Sequence, residues 1–301
     1  VKEGVVAPRR SGRPRSPFDM WDDAFARPRQ QRTLSADAVF IKTELNQETA
    51  FVGEGVLVSY RLYTSVPVGN LVLKDVPEFT GFLTEDIMSN QPVDRKAIVE
   101  NGQRYDTAVI FRKILYPTRP GALELPEVTF AMQVGDRFSM FAGSALERSS
   151  ERRRINVRKL PTPEPVGFSG AVGNFVLKAK PDTTRLRTGE SLTLSVEASG
   201  RGDFNNVPLV FPDQLEGFKL FRPSSPDLKR DPADPMNGSK RWDIVLVPQR
   251  TGELAIPELA LHYFDPERKS YRSSSTEPIA VTVLPGDGKR AGHRRRERRC
   301  G

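Results

Sequence analysis

The sequence predicts an all-β protein: two tandem antiparallel β-sandwich domains with flexible basic termini. Three observations predict it. Apolar residues recur with period two in short runs, the runs are bounded by Pro, Gly, Asp and Asn, and the second half of the chain restates the first. A length of 301 residues suits two cores better than one, and 37% hydrophobic residues with 25 Pro and 23 Gly is a poor composition for helices.

Residues 1–37 form a lead. VKEGVVAPRRSGRPR, residues 1–15, carries little to bury and is expected to be flexible. Ser16-Pro17-Phe18-Asp19 then has the order of a helix start, with Ser as N-cap, Pro at the first helical position and an acid in the first turn. Phe18, Trp21 and Phe25 fall on one face of this short helix, which Arg27-Pro28 ends. These three aromatics are the candidate partner-binding residues, because an amphipathic turn on a flexible lead can lay aromatic anchors into a groove. The competing reading has the helix folding back over its own first domain, since so short a helix is marginal unless something covers it.

Residues 38–158 read as the first sandwich. Val39, Ile41 and Leu45 alternate with Phe40, Lys42 and Glu44, and Val56, Val58, Tyr60 and Leu62 alternate with Leu57, Ser59, Arg61 and Tyr63. Further strands are expected at Thr107–Tyr116, Leu123–Gln133 and Arg154–Val157. Residues 159–171, KLPTPEPVGFSGA, form a Pro/Gly linker. Residues 172–285 read as the second sandwich, with Phe175, Leu177 and Ala179, then Leu192, Leu194, Val196 and Ala198, on its inward face. Strands at Trp242–Val247, Leu254–Phe264 and Pro278–Val283 complete it, and residues 286–301 form a basic, disordered tail.

The repeat ties the halves together. FVGEGVLVSYRLYTS (51–65) answers to RTGESLTLSVEASGR (187–201), VPEFTGF (76–82) to FPDQLEGF (211–218), and ILYPTRPGALELPEV (114–128) to VLVPQRTGELAIPEL (245–259), at offsets of 136, 136 and 131 residues. Gly53-Glu54 and Gly189-Glu190 suit hairpin turns in which Gly takes φ > 0 and the acid stays in solvent. In each Pro-x-Arg-x-Gly segment, the proline that follows is expected at a strand edge or at a strand's first residue.

Charge and residue types restrict the chemistry. Of the formal +8, residues 1–16 carry +4 and residues 287–301 carry +5, so the body between them is near neutral. The single cysteine, Cys300, excludes an intrachain disulfide and a cysteine-based zinc site. With only His262 and His293, histidine triads and His/Cys metal clusters have almost no material. His262 is expected to face solvent or an edge of its strand. Asp265 with Glu267 and Asp22 with Asp23 are carboxylate pairs of the kind glycosidases use, yet Asp265-Pro266 reads as a turn start. Asp19, Asp22 and Asp23 lack the glycine turn a calcium loop needs. The RRRERR run attracts phosphate, but no aromatic residue interleaves with it for single-strand stacking. No catalytic residue, cofactor or metal is therefore expected, and nucleic acid is not expected as a partner.

SPFDMWDDAF, FVGEGVLVSYRLYT, AVGNFVLKAKPD, RTGESLTLSVEASGRGDFNNV, VLVPQRTGELAIPELALHYFDPERKSY and PIAVTVLPG together resemble the BatD (aerotolerance, or oxygen tolerance) family over about Ser16 to Gly286. The resemblance implies immunoglobulin-like domains between a signal peptide and a membrane anchor. It also implies a periplasmic setting beside a MoxR-type ATPase and von Willebrand factor A-domain membrane proteins, with no catalytic residues. On that pattern the chain is expected to be a fragment lacking the signal peptide, the first domain and the anchor, and to reach the membrane only through a segment outside itself. The function expected is a non-enzymatic interaction or scaffold module. The alternative is a carbohydrate-binding or adhesin-type β-sandwich, which requires Tyr63, Tyr263, Phe264 and Tyr271 to line one groove.

Overall fold

A computed structural model describes residues 36–75, 77–87, 93–135, 144–222 and 225–286. The lead helix with Phe18, Trp21 and Phe25, and the basic tail, lie outside the described residues.

Residues 38–158 supply β1 (Val39–Leu45), β2 (Thr49–Phe51), β3 (Val56–Thr64), β4 (Val68–Asp75), β5 (Phe82–Asp86), β6 (Val93–Glu100), β7 (Gln103–Pro117), β8 (Gly121–Leu125), β9 (Thr129–Val134), β10 (Ser144–Ser149) and β11 (Arg153–Arg158). They make three sheets, ordered β1-β3-β7-β5 with β6 also on β7, β10-β9-β4, and β2-β11-β8. Then follow β12 (Phe168–Pro181), β13 (Arg185–Arg187), β14 (Leu192–Gly202), β15 (Phe218–Phe221), β16 (Asp227–Arg230), β17 (Asn237–Pro248), β18 (Gly252–Ile256), β19 (Ala260–Asp265), β20 (Ser270–Ser275) and β21 (Ile279–Leu284). These form a sheet β15-β17-β14-β12-β19-β20, with β16 also on β17, and a sheet β13-β21-β18. The fold is all-β, and the sheets of residues 38–158 share no strand with those of residues 168–284. Pairing is antiparallel apart from β2 with β11, β13 with β21, and β12 with β19, which run parallel.

The alternation read from sequence places the core. Leu192, Leu194, Val196 and Ala198 of β14 are fully buried, as are Ile244 and Leu246 of β17 opposite them. Phe175 meets Phe204 and Tyr263 edge to face at 5.3 and 5.6 Å. Each such aliphatic side chain contributes about 1.5–3 kcal/mol by leaving water, so cutting Ile244 to Ala would cost about 2–5 kcal/mol. In the first sandwich Val39, Ile41, Val56, Val58 and Tyr60 are buried as their period requires.

Several elements differ from expectation. The single strand expected over Leu123–Gln133 is two, β8 and β9, and Leu254–Phe264 is likewise β18 and β19. Pro126 and Pro257 have no N–H for a ladder, so each stands just past a strand end, where the chain changes sheet, rather than at a strand's edge or first residue. Arg61 and Tyr63, expected on the solvent side of β3, are 5% and 7% exposed. Arg61 is covered because its guanidinium reaches Glu44 of β1 and Asp94 of β6, while Tyr63 stacks on Phe40 at 4.7 Å with the Lys42 ammonium above it at 4.9 Å. Strand β12 opens at Phe168 within the expected linker, and Ala171 and Val172 are buried. Polar runs such as SYRSSS (β20) and DLKR (β16) become strands because a neighbour supplies the ladder, which no hydrophobic period announces.

The two Gly-Glu turns share one construction. Gly53 and Gly189 take φ of 79° and 93°, a region that favours glycine. The acid that follows does not stay free in solvent: Glu54 Oε2 accepts the Phe51 amide and Glu190 Oε2 the Arg187 amide, each at 2.7 Å. Upstream, Asn46 Oδ1 accepts the Leu57 amide at 2.8 Å and Asp182 Oδ1 the Thr193 amide at 2.9 Å.

Candidate functional site

Buried polar chemistry gathers where the two sandwiches meet. Strand β7 closes on Ile114, Leu115, Tyr116 and Pro117, and β5 pairs with this end, setting Glu85 opposite Ile114. From the second sandwich, β16 pairs with the start of β17 and sets Arg230 opposite Gly238. Arg230 Nε donates to Glu85 Oε1 at 2.9 Å and its Nη2 to Oε2 at 2.6 Å, a two-point contact. The same Nη2 donates to the Tyr116 hydroxyl at 2.8 Å, and that hydroxyl donates to Glu85 Oε2 at 2.9 Å. On its own side Arg230 donates from Nη1 to the Gly202 carbonyl at 3.2 Å and lies 4.9 Å over the Phe204 ring. The Arg230 and Glu85 side chains are 13% and 21% exposed, so water screens the pair weakly.

Burial and charge tune these groups. Burial pushes the Tyr116 hydroxyl well above the usual phenol range. Burial alone would lower the Arg230 pKa, but the bonds to Glu85 and the Tyr116 interaction outweigh it and hold the guanidinium above its ordinary value. Behind them Asp203 is fully buried and its carboxyl is raised by that burial, although it accepts the Asn205 amide at 2.9 Å and Asn206 Nδ2 at 2.6 Å. Lys240, lowered by burial, donates to the Phe204 and Val207 carbonyls at 2.8 Å each.

Apolar contacts flank this centre. Met236 is 3% exposed and packs on Ile114 and Tyr116. A Cβ at Gly55 would stand 2.7 Å from Met236 Cε and 3.0 Å from Tyr116 Cε1, so the glycine lets these side chains sit close to the backbone of the first sandwich. Phe51 meets Phe264 edge to face at 4.9 Å, Phe264 meets Tyr271 at 5.3 Å, and Tyr271 meets Phe168 at 5.0 Å. The Tyr271 hydroxyl donates to the Pro161 carbonyl at 2.8 Å, fastening the connecting segment to β20.

The aromatic row required for carbohydrate is not formed. Tyr63, Tyr263 and Phe264 are 7%, 5% and 0% exposed and are claimed by packing in three separate places: Tyr63 stacks on Phe40, Tyr263 meets Phe175 in the second core, and Phe264 lies against Phe51 at the junction. His262 is half-buried in β19, between Phe168 of β12 and Ser273 of β20, and not at a sheet edge. Asp265 is 1% exposed and Oδ1 accepts the Glu267 and Arg268 amides at 3.0 Å each, the turn its Asp-Pro sequence announces. Among the described residues no group of three or more His, Cys, Asp or Glu is placed to hold a metal ion, and no helix is long and apolar enough to cross a membrane.

Glu85, Tyr116 and Arg230 were not singled out from sequence. One signal was there: within the repeat Tyr116 stands where the second half has Val247 and Glu85 where it has Phe221, polar groups replacing apolar ones at equivalent places.

Residues 179–283 match the family model described as the BatD DUF11 like domain. No curated protein matches the chain. Among solved structures, the D0-D1 domain of Intimin is 10% identical, with 80% of this chain and 97% of that one covered, at a TM-score of 0.16. The adhesin InvE of Yersinia pseudotuberculosis is 13% identical, covering 82% and 59%, at 0.20, and the mouse nectin-like molecule 4 ectodomain is 10% identical, covering 83% and 65%, at 0.18. At such scores the fold stands on the chain's own sheets. The family-model match lies within the second sandwich, from the last residues of β12 into β21, and takes in β13 to β20 whole.

Proposed function

We propose that the chain is a non-enzymatic interaction and scaffold module of a BatD-like envelope complex, built from two copies of one immunoglobulin-like unit and working on the periplasmic side of a membrane in an oxygen-tolerance or stress response. The carrying observation is the BatD domain match on a sandwich in which the buried Asp265 closes a turn and Arg230 joins the two halves. The shared Gly-Glu turns and the identical order of β2-β11-β8 and β13-β21-β18, one parallel and one antiparallel pair in each, support the two-copy reading. The partners follow from the family resemblance: von Willebrand factor A-domain proteins, acting with a MoxR-type ATPase. Phe18, Trp21 and Phe25 are the first residues to try as their contact.

Retention of purified von Willebrand factor A-domain proteins, encoded beside the gene, on the immobilised 301-residue chain tests this. Retention that persists after residues 287–301 are removed is expected. Absence of retention, or retention that vanishes with the basic tail and is matched by heparin, would overturn the reading. Replacing Phe18, Trp21 and Phe25 together by Ala is expected to weaken binding by about tenfold or more, as loss of aromatic anchors does.

A further inference from the structure

We propose that Arg230, Glu85 and Tyr116 form a latch that makes the two sandwiches one rigid, cooperatively unfolding body. Domains joined by a short connection normally move relative to one another unless their contact is large or specifically fixed. Here a specific fixing is present on both sides of the contact. On one side the guanidinium grips Glu85 at two points and the Tyr116 hydroxyl at a third. On the other, Phe51 of the first sandwich lies against Phe264 of the second, and Tyr271 holds the connecting segment through Pro161.

The latch is directional, which a greasy contact is not. Arg230 is aimed by its own sandwich: β16 pairs with β17, Gly202 accepts Nη1, and the ring of Phe204 supports the guanidinium plane. Glu85 and Tyr116 are aimed by the β5 and β7 ladder and bonded to each other before the arginine is counted. A hinge opening that parted the sandwiches would break three directional bonds, two of them between full charges, and would uncover the Phe51–Phe264 and Met236 contacts to water in the same movement. The fixed angle is therefore set by chemistry that can be removed atom by atom without touching either core.

Spin labels at Glu124→Cys and Val176→Cys, in the full chain with Cys300→Ser, report the distance across the junction. These positions are solvent-facing strand residues of the two sandwiches. With the latch intact, one narrow distance distribution and a single thermal transition are expected. Arg230→Met and Glu85→Gln are each expected to broaden the distribution and to split the transition into two. Narrow distributions and single transitions in both variants would overturn the proposal. Should Arg230→Met fail to fold, Glu85→Gln, which keeps the side chain's size, decides by the same two readouts.

Discussion

Glu54 Oε2 accepts the amide of Phe51 at 2.7 Å, closing the turn that carries the chain from β2 into β3, while Gln47 Nε2 donates to Oε1 at 2.7 Å. Burial raises the Glu54 carboxyl above its ordinary value, and these two bonds only partly offset the shift. The folded state therefore holds this proton more tightly than the unfolded chain does. Stability from this group falls as pH climbs from about 4.3, the ordinary glutamate value, through the raised folded value. Glu54→Gln keeps an acceptor for Phe51 and should flatten that part of the stability-pH profile, whereas Glu54→Ala should cost about 1–2 kcal/mol at neutral pH. Denaturant melts at a series of pH values check both.

Gly200 and Gly252 separate backbone strain from collision. Both have positive φ, 146° and 109°, so an alanine at either is strained. A Cβ at Gly252 meets nothing within 4 Å, but one at Gly200 would lie 2.0 Å from the Asn174 carbonyl oxygen, an atom pinned in the β12–β14 ladder. Gly252→Ala should cost about 1–2 kcal/mol. Gly200→Ala should cost more than about 4 kcal/mol or abolish folding, read from urea midpoints and soluble yield.

Tyr60 and Tyr116 should respond oppositely to loss of their hydroxyls. The Tyr60 hydroxyl is buried in the first core without a hydrogen-bond partner among the described residues, and burial pushes its pKa far up. Tyr60→Phe removes an unsatisfied polar group and should leave the melting temperature unchanged or higher. Tyr116→Phe removes the bonds to Glu85 and Arg230 and should cost about 1.5–3 kcal/mol.

Asp94 gives a second pH signature of the other sign. Arg61 and Lys96 hold its carboxyl below the usual aspartate range. That contribution is present above the unfolded aspartate value and is lost as pH falls through the folded one. Asp94→Asn should therefore lower the melting temperature at pH 7, with the difference from the parent protein shrinking as the pH falls below about 3.9, the ordinary aspartate value, and through the lower folded one.

The sequence by itself determined the class of fold and most of its core. Period two chose strands, and the residues it turned inward, Leu192, Leu194, Val196 and Ala198 among them, are the ones without water. It also located the Gly-Glu turns, since a backbone that must adopt positive φ writes glycine into the chain. Its reach ended where partners are distant. Glu54 and Glu190 look like solvent acids until the turn brings an amide three residues back within reach. SYRSSS becomes β20 only because β19 lies beside it. Arg230 and Glu85 stand 145 positions apart, and neither neighbourhood marks them, because an ion pair is specified by where two ladders end and not by any local period. Local sequence fixes which way a side chain faces, whereas only packing one sandwich against the other decides what it faces.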